Sequence, residues 1–361
     1  MASDPRQAVE EVRAAVEQPG MRAVLLFCSP SYDLTALGAA IRGAFSCPVV
    51  GCTSAGQIGP IGYQRGGLTA ASLASDNLVV RPHLISPLTE CQQRSMTVAA
   101  QVRADLRNPP GRRRAFGLIL VDGLSLAEEA LAATLYQSLG DMPIVGGSAG
   151  DDLRFERTWI YWDGAFRSDA AVFTVFETSL RFCTFKLQHF RPTERKLVTT
   201  AASPSTRVVQ EMNGVPAADA YAELLGLTVE ELDSSAFSRN PVMLRIGSEY
   251  YIRSIQKVNP DHSLTFYCAI DEGLVLTLGE GLEPLSTLEQ GLREVAAKIG
   301  APSLIIGCDC ILRRLCFEQK GIDGRVGEIL SAHEVIGFST YGEQFNAVHV
   351  NQTFTGIALA E

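Results

Sequence analysis

The stretch Pro48–Gly56 reads PVVGCTSAG: an apolar pair, a glycine, small and hydroxyl residues, then a second glycine. Close versions return as PIVGGSAGD at 143–151 and EVIGFSTYGE at 334–343. The surroundings repeat as well. A short apolar run precedes each copy: AVLLFC at 23–28, GLILV at 117–121 and SLIIGC at 303–308. Such runs are the pattern of strands buried on both faces. Helical segments lie between run and motif, with Asp33-Leu34-Thr35 opening one through Phe45, Ser125 opening a capping-box helix to about Ser138, and a third around 324–332. Extended segments follow, at 68–74 and 78–85, at 157–162, 170–176 and 181–190, and at 347–359. Each copy is therefore a strand–helix–strand unit whose second strand ends in a glycine turn. The expected fold class is α/β (mixed α+β), built from these repeated units with added antiparallel strands. The motif reads first as a signature of the fold, turning the chain where a strand ends.

The totals bound the function. At 361 residues the chain suits two domains. Hydrophobic residues at 46% and charged residues at 20% are ordinary for a packed protein. No uncharged apolar run reaches the length of a membrane span. The first twenty residues are charged and helical in pattern, with a helix at 5–17 and no apolar core of a secretory signal. A cytoplasmic location is expected. The net charge of −9 disfavours nucleic acid as a partner. The one dense basic cluster, Arg112–Arg114 behind Pro109-Pro110, reads as a solvated loop. Nine cysteines, an odd number with no CxxC pair, argue against a disulfide framework or a structural zinc. Cys308-Asp309-Cys310 alone does not close a metal site.

The motifs in order give the chain a resemblance to FIST proteins, bacterial sensory modules with an N-terminal and a C-terminal FIST domain. It is carried by VVGCTSAGQI (49–58), GGSAGDDLRF (146–155) with WIYWDGAF (159–166), LQHFRPTERKLVTTAAS (187–203), VVQEMNGVPAADAYAELLG (208–226), GCDCILRR (307–314) and GFSTYGEQFNAVHVNQTFTGIALA (337–360). The implied division is a helix over 1–19, a FIST N-terminal domain over 20–206 and a FIST C-terminal domain over 207–361. The resemblance implies ligand sensing and no catalysis. No output domain is left over, so the signal is expected to pass to a separate protein. Stand-alone members include nitric-oxide-sensing haem proteins that act on a partner histidine kinase and so on cyclic-di-GMP signalling. The implied function is binding of haem b, response to nitric oxide and regulation of a sensor histidine kinase in trans, with a homodimer also open.

A haem sensor needs an imidazole on iron, an apolar slot and cations for the propionates. In RFCTFKLQHF, alternation puts Cys183, Phe185, Leu187 and His189 on one strand face. His189 is the expected iron ligand, with Phe185 and Leu187 in the slot and Arg191, Arg195 and Lys196 following. His349 is the second candidate, and Cys310 and Tyr341 lie near motif regions. His262 reads as a turn residue, His333 as a helix-end cation, and His83 as either. The plain alternative for His189 is a core histidine satisfied by a backbone carbonyl.

Two further readings stand beside haem. One is a sensor of an amino acid or similar metabolite, with Thr53, Ser54, Ser148 and Thr340 supplying hydroxyls and Asp151, Asp152, Arg313 and Glu343 supplying charge. Those same charges could instead form an internal network fastening the two halves. The other is a serine hydrolase, because Gly146–Gly150 satisfies G-x-S-x-G around Ser148, with Asp261 and His349 as formal partners. The helix that should follow such a nucleophile is missing from the pattern.

Overall fold

The computed structural model describes residues 4–106 and 114–361. Arg112, Arg113 and the Pro109-Pro110 pair lie outside the described residues, and Arg114 begins a strand. The mixed α+β expectation holds: helices and several mixed sheets build the chain.

Each motif ends the second strand of a parallel pair. Met21–Cys28 pairs with Val49–Thr53, Arg114–Val121 with Ile144–Ser148, and Leu304–Cys310 with Val335–Thr340. The registers match. Leu26 stands opposite Gly51, Ile119 opposite Gly146, and Gly307 opposite Gly337. A Cβ on Gly51 would lie 2.3 Å from the Leu26 carbonyl oxygen, on Gly146 2.4 Å from that of Ile119, and on Gly337 1.8 Å from that of Gly307. The first glycine of the motif is thus required by close backbone approach, three times over.

The second feature is an exchange of hairpins. The hairpin after the first motif, Gln57–Gly59 with Gly62–Gln64, pairs with the third unit's strand Val335–Thr340. That after the second motif, Ile160–Trp162 with Ala165–Arg167, pairs with the first unit's Val49–Thr53. That after the third, Glu343–Phe345 with Val348–Val350, pairs with the second unit's Ile144–Ser148. Each unit gives a hairpin to one neighbour and receives one from the other, so the arrangement closes with pseudo-threefold symmetry.

Alternation along the buried strands explains the layers. Leu25 and Phe27, Leu118 and Leu120, and Ile306 and Cys308 face one shared core. There Phe27 stacks on Phe338 with ring centroids 4.5 Å apart. The alternate residues, Leu26, Ile119 and Ile305 among them, face outward beneath helices. Two-sided burial is why these strands read as continuous apolar runs.

Between the second and third units the chain inserts a separate body. Phe190–Ser203, Val208–Met212 and the strands to Val275–Gly281 form an eight-stranded sheet. It packs its own core around Tyr221, Phe266 and Leu276 beneath helix Ala217–Leu225. The division at 206/207 falls in the turn between Phe190–Ser203 and Val208–Met212. The threefold body draws on both sides of that division.

Two local expectations change. The helix of the second unit begins at Glu128, and its N-cap, Ala127, has no side-chain cap. Ser125 instead turns back to donate to the Asp122 carbonyl, and Leu126 adopts a φ of 57°, which no helix continues. The strand expected at 181–190 stops at Leu187, and a new one starts at Phe190 in the other sheet. His189 therefore sits at the joint between the two bodies. Among the described residues, no helix is long and apolar enough to cross a membrane.

Candidate functional site

The three motifs meet on the pseudo-threefold axis and bond in a ring. The Ala55 amide donates to the Ser339 carbonyl (3.1 Å), Gly150 to Thr53 (3.1 Å) and Tyr341 to Ser148 (3.2 Å). Thr53, Ser54, Ser148, Thr340 and Glu343 are all fully buried there.

Most of this polar set is internally committed. Glu343 receives the hydroxyl of Thr340, and the hydroxyl (2.7 Å) and amide (3.2 Å) of Thr353. Burial pushes its carboxyl up to about 8, against the bonds from the two threonines. Asp151 accepts from the Tyr341 hydroxyl and from the amides of Phe155 (2.9 Å), Glu156 (2.7 Å) and Arg157 (2.9 Å). Asp152 accepts from Ser29 Oγ at 2.8 Å. Arg313 holds Asp309 at 2.7 Å, and the Tyr63 hydroxyl also donates to Asp309. Of these, the Tyr341–Asp151 and Tyr63–Asp309 bonds join the two halves, whereas Asp152 and Glu343 bond within their own half.

Ser148 is enclosed, and its hydroxyl accepts from Gln344 Nε2 at 3.1 Å. Gln344 Nε2 also lies 3.2 Å from His349 Nδ1, so an amide separates the serine from the imidazole. Asp261 is exposed and holds Ser263 of its own turn. No nucleophile–base pair forms here.

His189 is buried, with Nδ1 3.0 Å from Arg313 Nη1. A guanidinium only donates, so Nδ1 is the acceptor and Nε2 carries the hydrogen. That Nε2 is buried without a hydrogen-bond partner. Burial, then the charges of Arg313 and Lys320, hold the ring well below its ordinary pKa, so it is neutral. An axial histidine binds iron through one nitrogen and donates from the other to an acceptor. Here the second nitrogen faces a donor. The expected slot is also filled: Phe185 meets Phe354 edge-on at 5.2 Å, and Leu187 packs against Gly291 of helix Pro284–Ile299. Arg191 pairs with Glu280 at 2.9 Å on the surface, and Arg195 is exposed. As folded, these residues do not fit a haem at His189. His349 is buried and lowered in pKa mainly by that burial, with Glu129 and Glu128 opposing. Among the described residues, no group of three or more His, Cys, Asp or Glu could hold a metal ion.

A half-open cavity of about 190 Å³ lies beside the motif ring, where the threefold body meets the inserted one. The first body contributes Leu124, Glu128, Phe155 and Tyr341, and the second Arg207 and Tyr267. Arg207 fastens the two. Its Nη2 donates to Glu128 (2.7 Å) and Glu129 (2.8 Å) on the second unit's helix, and its Nη1 to the Tyr267 carbonyl (2.8 Å). Glu129 reaches back to the Ala269 amide at 2.8 Å. Phe155 stacks on Tyr341 at 4.7 Å. Sequence reasoning missed Glu128, Glu129, Phe155, Arg207 and Tyr267. Only the Glu128-Glu129 pair opening a helix gave any sign, and it reads equally as dipole compensation.

The family model of the FIST N domain matches residues 22–215, and that of the FIST C domain matches 217–346. Over 143 residues the chain is 27% identical to an uncharacterized protein, MJ1623, of Methanocaldococcus jannaschii. That alignment covers 40% of this chain and 25% of the relative, so the chain spans about a quarter of the relative's length.

Proposed function

The chain belongs to the FIST family, whose domains sense signals by binding small ligands, and we propose that this one holds a small metabolite in the cavity between its two bodies. One observation carries the reading. The cavity is walled by both bodies, and Arg207 and Glu128 of the clamp that joins them line it. A ligand there touches both sides of a joint. It therefore favours one relation of the bodies over another, which is what a sensor must do. The chain crosses between the bodies at Gln188–His189 and at Leu282–Glu283, and these are the places where that relation can change.

A sensor histidine kinase regulated in trans is the partner that the family resemblance supports. Haem b with nitric oxide is supported by the same resemblance and by the presence of buried imidazoles, His189 and His349. The contacts of His189 favour the metabolite reading over it.

The test is a thermal-shift survey of a metabolite panel against the protein and against Gln256→Trp, which fills the cavity from its wall. A ligand at a hundred times its Kd stabilises by about 2.7 kcal/mol. Stabilising compounds should lose their effect in the filled variant. Compounds that stabilise both proteins equally would place the ligand elsewhere.

A further inference from the structure

We propose that the junction cavity takes a small organic cation with a flat apolar body, caged by Phe155, Tyr267 and Tyr341 and held at its charged end by Glu128. The proposal deepens the metabolite reading and rests on it.

The walls are aromatic. Phe155 lies over Tyr341 with planes 20° apart and faces Tyr267 at 6.4 Å between centroids. Ring faces attract cations, most strongly where water is excluded. The charges point the same way. Two carboxylates, Glu128 and Glu129, share one guanidinium. Arg207 gives its donors to Glu128, Glu129 and the Tyr267 carbonyl, all protein acceptors. Arg253, a further cation nearby, is turned to the His349 carbonyl and does not line the cavity. Among the described residues, Arg207 is the hydrogen-bond partner of Glu128, through Oε2. Oε1 is left for a guest donor, on a residue only 1% exposed. A buried carboxylate with an open acceptor favours a charged donor over a neutral one.

The size agrees. An apolar cavity of about 150 Å³ holds benzene, and this one is about 190 Å³ with a polar end. Leu126 and Phe155 line its mouth, 53% and 38% exposed, with φ of 57° and 54°, a region bulky L residues rarely occupy. Tyr341 accepts from the Leu153 amide at 2.8 Å, so the 151–155 segment is pinned to the aromatic wall itself.

Calorimetric titration with benzamidine tests the class, alongside neutral benzamide and anionic benzoate of the same shape. Benzamidine should bind about tenfold or more tighter than benzamide, and benzoate should not bind. Phe155→Ala, at the exposed rim, should weaken benzamidine about tenfold. Glu128→Gln should weaken it further, and Tyr267→Leu serves if Glu128→Gln does not fold. Equal or tighter binding of benzamide or benzoate overturns the cation class. So does benzamidine binding indifferent to all three substitutions, or no binding at all. A neutral or anionic metabolite that stabilises the protein but not Gln256→Trp would leave the cavity as the sensing site while sinking this proposal.

Discussion

Arg313 Nη1 lies 3.0 Å from His189 Nδ1, and the same guanidinium holds Asp309 at 2.7 Å through Nε. One side chain of the third unit thus neutralises a buried acid and fixes the tautomer of a histidine 124 positions away in sequence. The imidazole expected as a ligand for iron sits at the joint, held at Nδ1 by a cation where a backbone carbonyl was the plain alternative, with Nε2 left unpartnered.

Protein reconstituted with haem should therefore show no Soret band that depends on His189. The measurement is an ultraviolet–visible titration of the protein and of His189→Ala. A band abolished by the substitution would mean that Arg313 moves away and the ring turns to iron.

Removing Arg313 leaves Asp309 buried and unpaired apart from the Tyr63 hydroxyl. Arg313→Met should cost about 3–5 kcal/mol, read from urea midpoints. Pairing it with Asp309→Asn should recover much of the loss. An additive double variant would show that the two residues are not energetically coupled.

The glycine of each motif should be intolerant for a single reason. Gly337→Ala places a methyl 1.8 Å from the Gly307 carbonyl oxygen and should lower the thermal midpoint strongly. Gly324→Ala, where nothing lies within 4 Å, should leave it nearly unchanged. Equal tolerance at both positions would break the account of the repeated turn.

Glu343 gives a pH signature. Its carboxyl titrates near 8 in the folded protein against 4.5 when free. The folded state thus binds more protons than the unfolded between these values. Stability from this group is complete below about pH 4.5 and lost as pH rises to about 8, at roughly 1 kcal/mol per unit. Glu343→Gln can turn its amide nitrogen to Thr340 and keep Thr353 as donor, and should flatten that slope. Urea midpoints at pH 5, 6, 7 and 8 check it, and parallel curves would rule out Glu343 as the source.

Much of the threefold body was legible because its signals are local. Buried runs such as Ala23–Cys28 and the Asp33 cap act within a few residues, and Asp33 does accept from the Thr35 and Ala36 amides. The hairpin exchange was not legible. Residues 57–64 are too short to name their partner, and pairing with 335–340 is decided by closure of the whole ring. The cavity was hidden for the same reason. Phe155 meets Tyr341 only when the second and third units close the ring, and Arg207 meets Glu128 only after the second body docks. The alternation held through Leu187, with Phe185 buried as expected, but the strand ends before His189. What alternation lacks is knowledge of the opposing layer, here the helix Pro284–Ile299 and Arg313.

The two bodies should come apart more readily without their clamp. Arg207→Met leaves Glu128 buried without its cation and should cost about 3–5 kcal/mol. Limited proteolysis should then cut near the two crossings, 188–189 and 282–283, before elsewhere. An unchanged digestion pattern would show that other contacts hold the joint.

Hydrogen exchange across residues 151–157, with and without the compound from the metabolite panel that stabilises the protein most, tests ligand sensing at the junction most directly. The amides of Leu153, Phe155, Glu156 and Arg157 are tied to Tyr341 and Asp151 at the cavity rim. Binding should slow their exchange about tenfold or more, together with that of Tyr267. Protection that appears elsewhere while these amides exchange as before would contradict it.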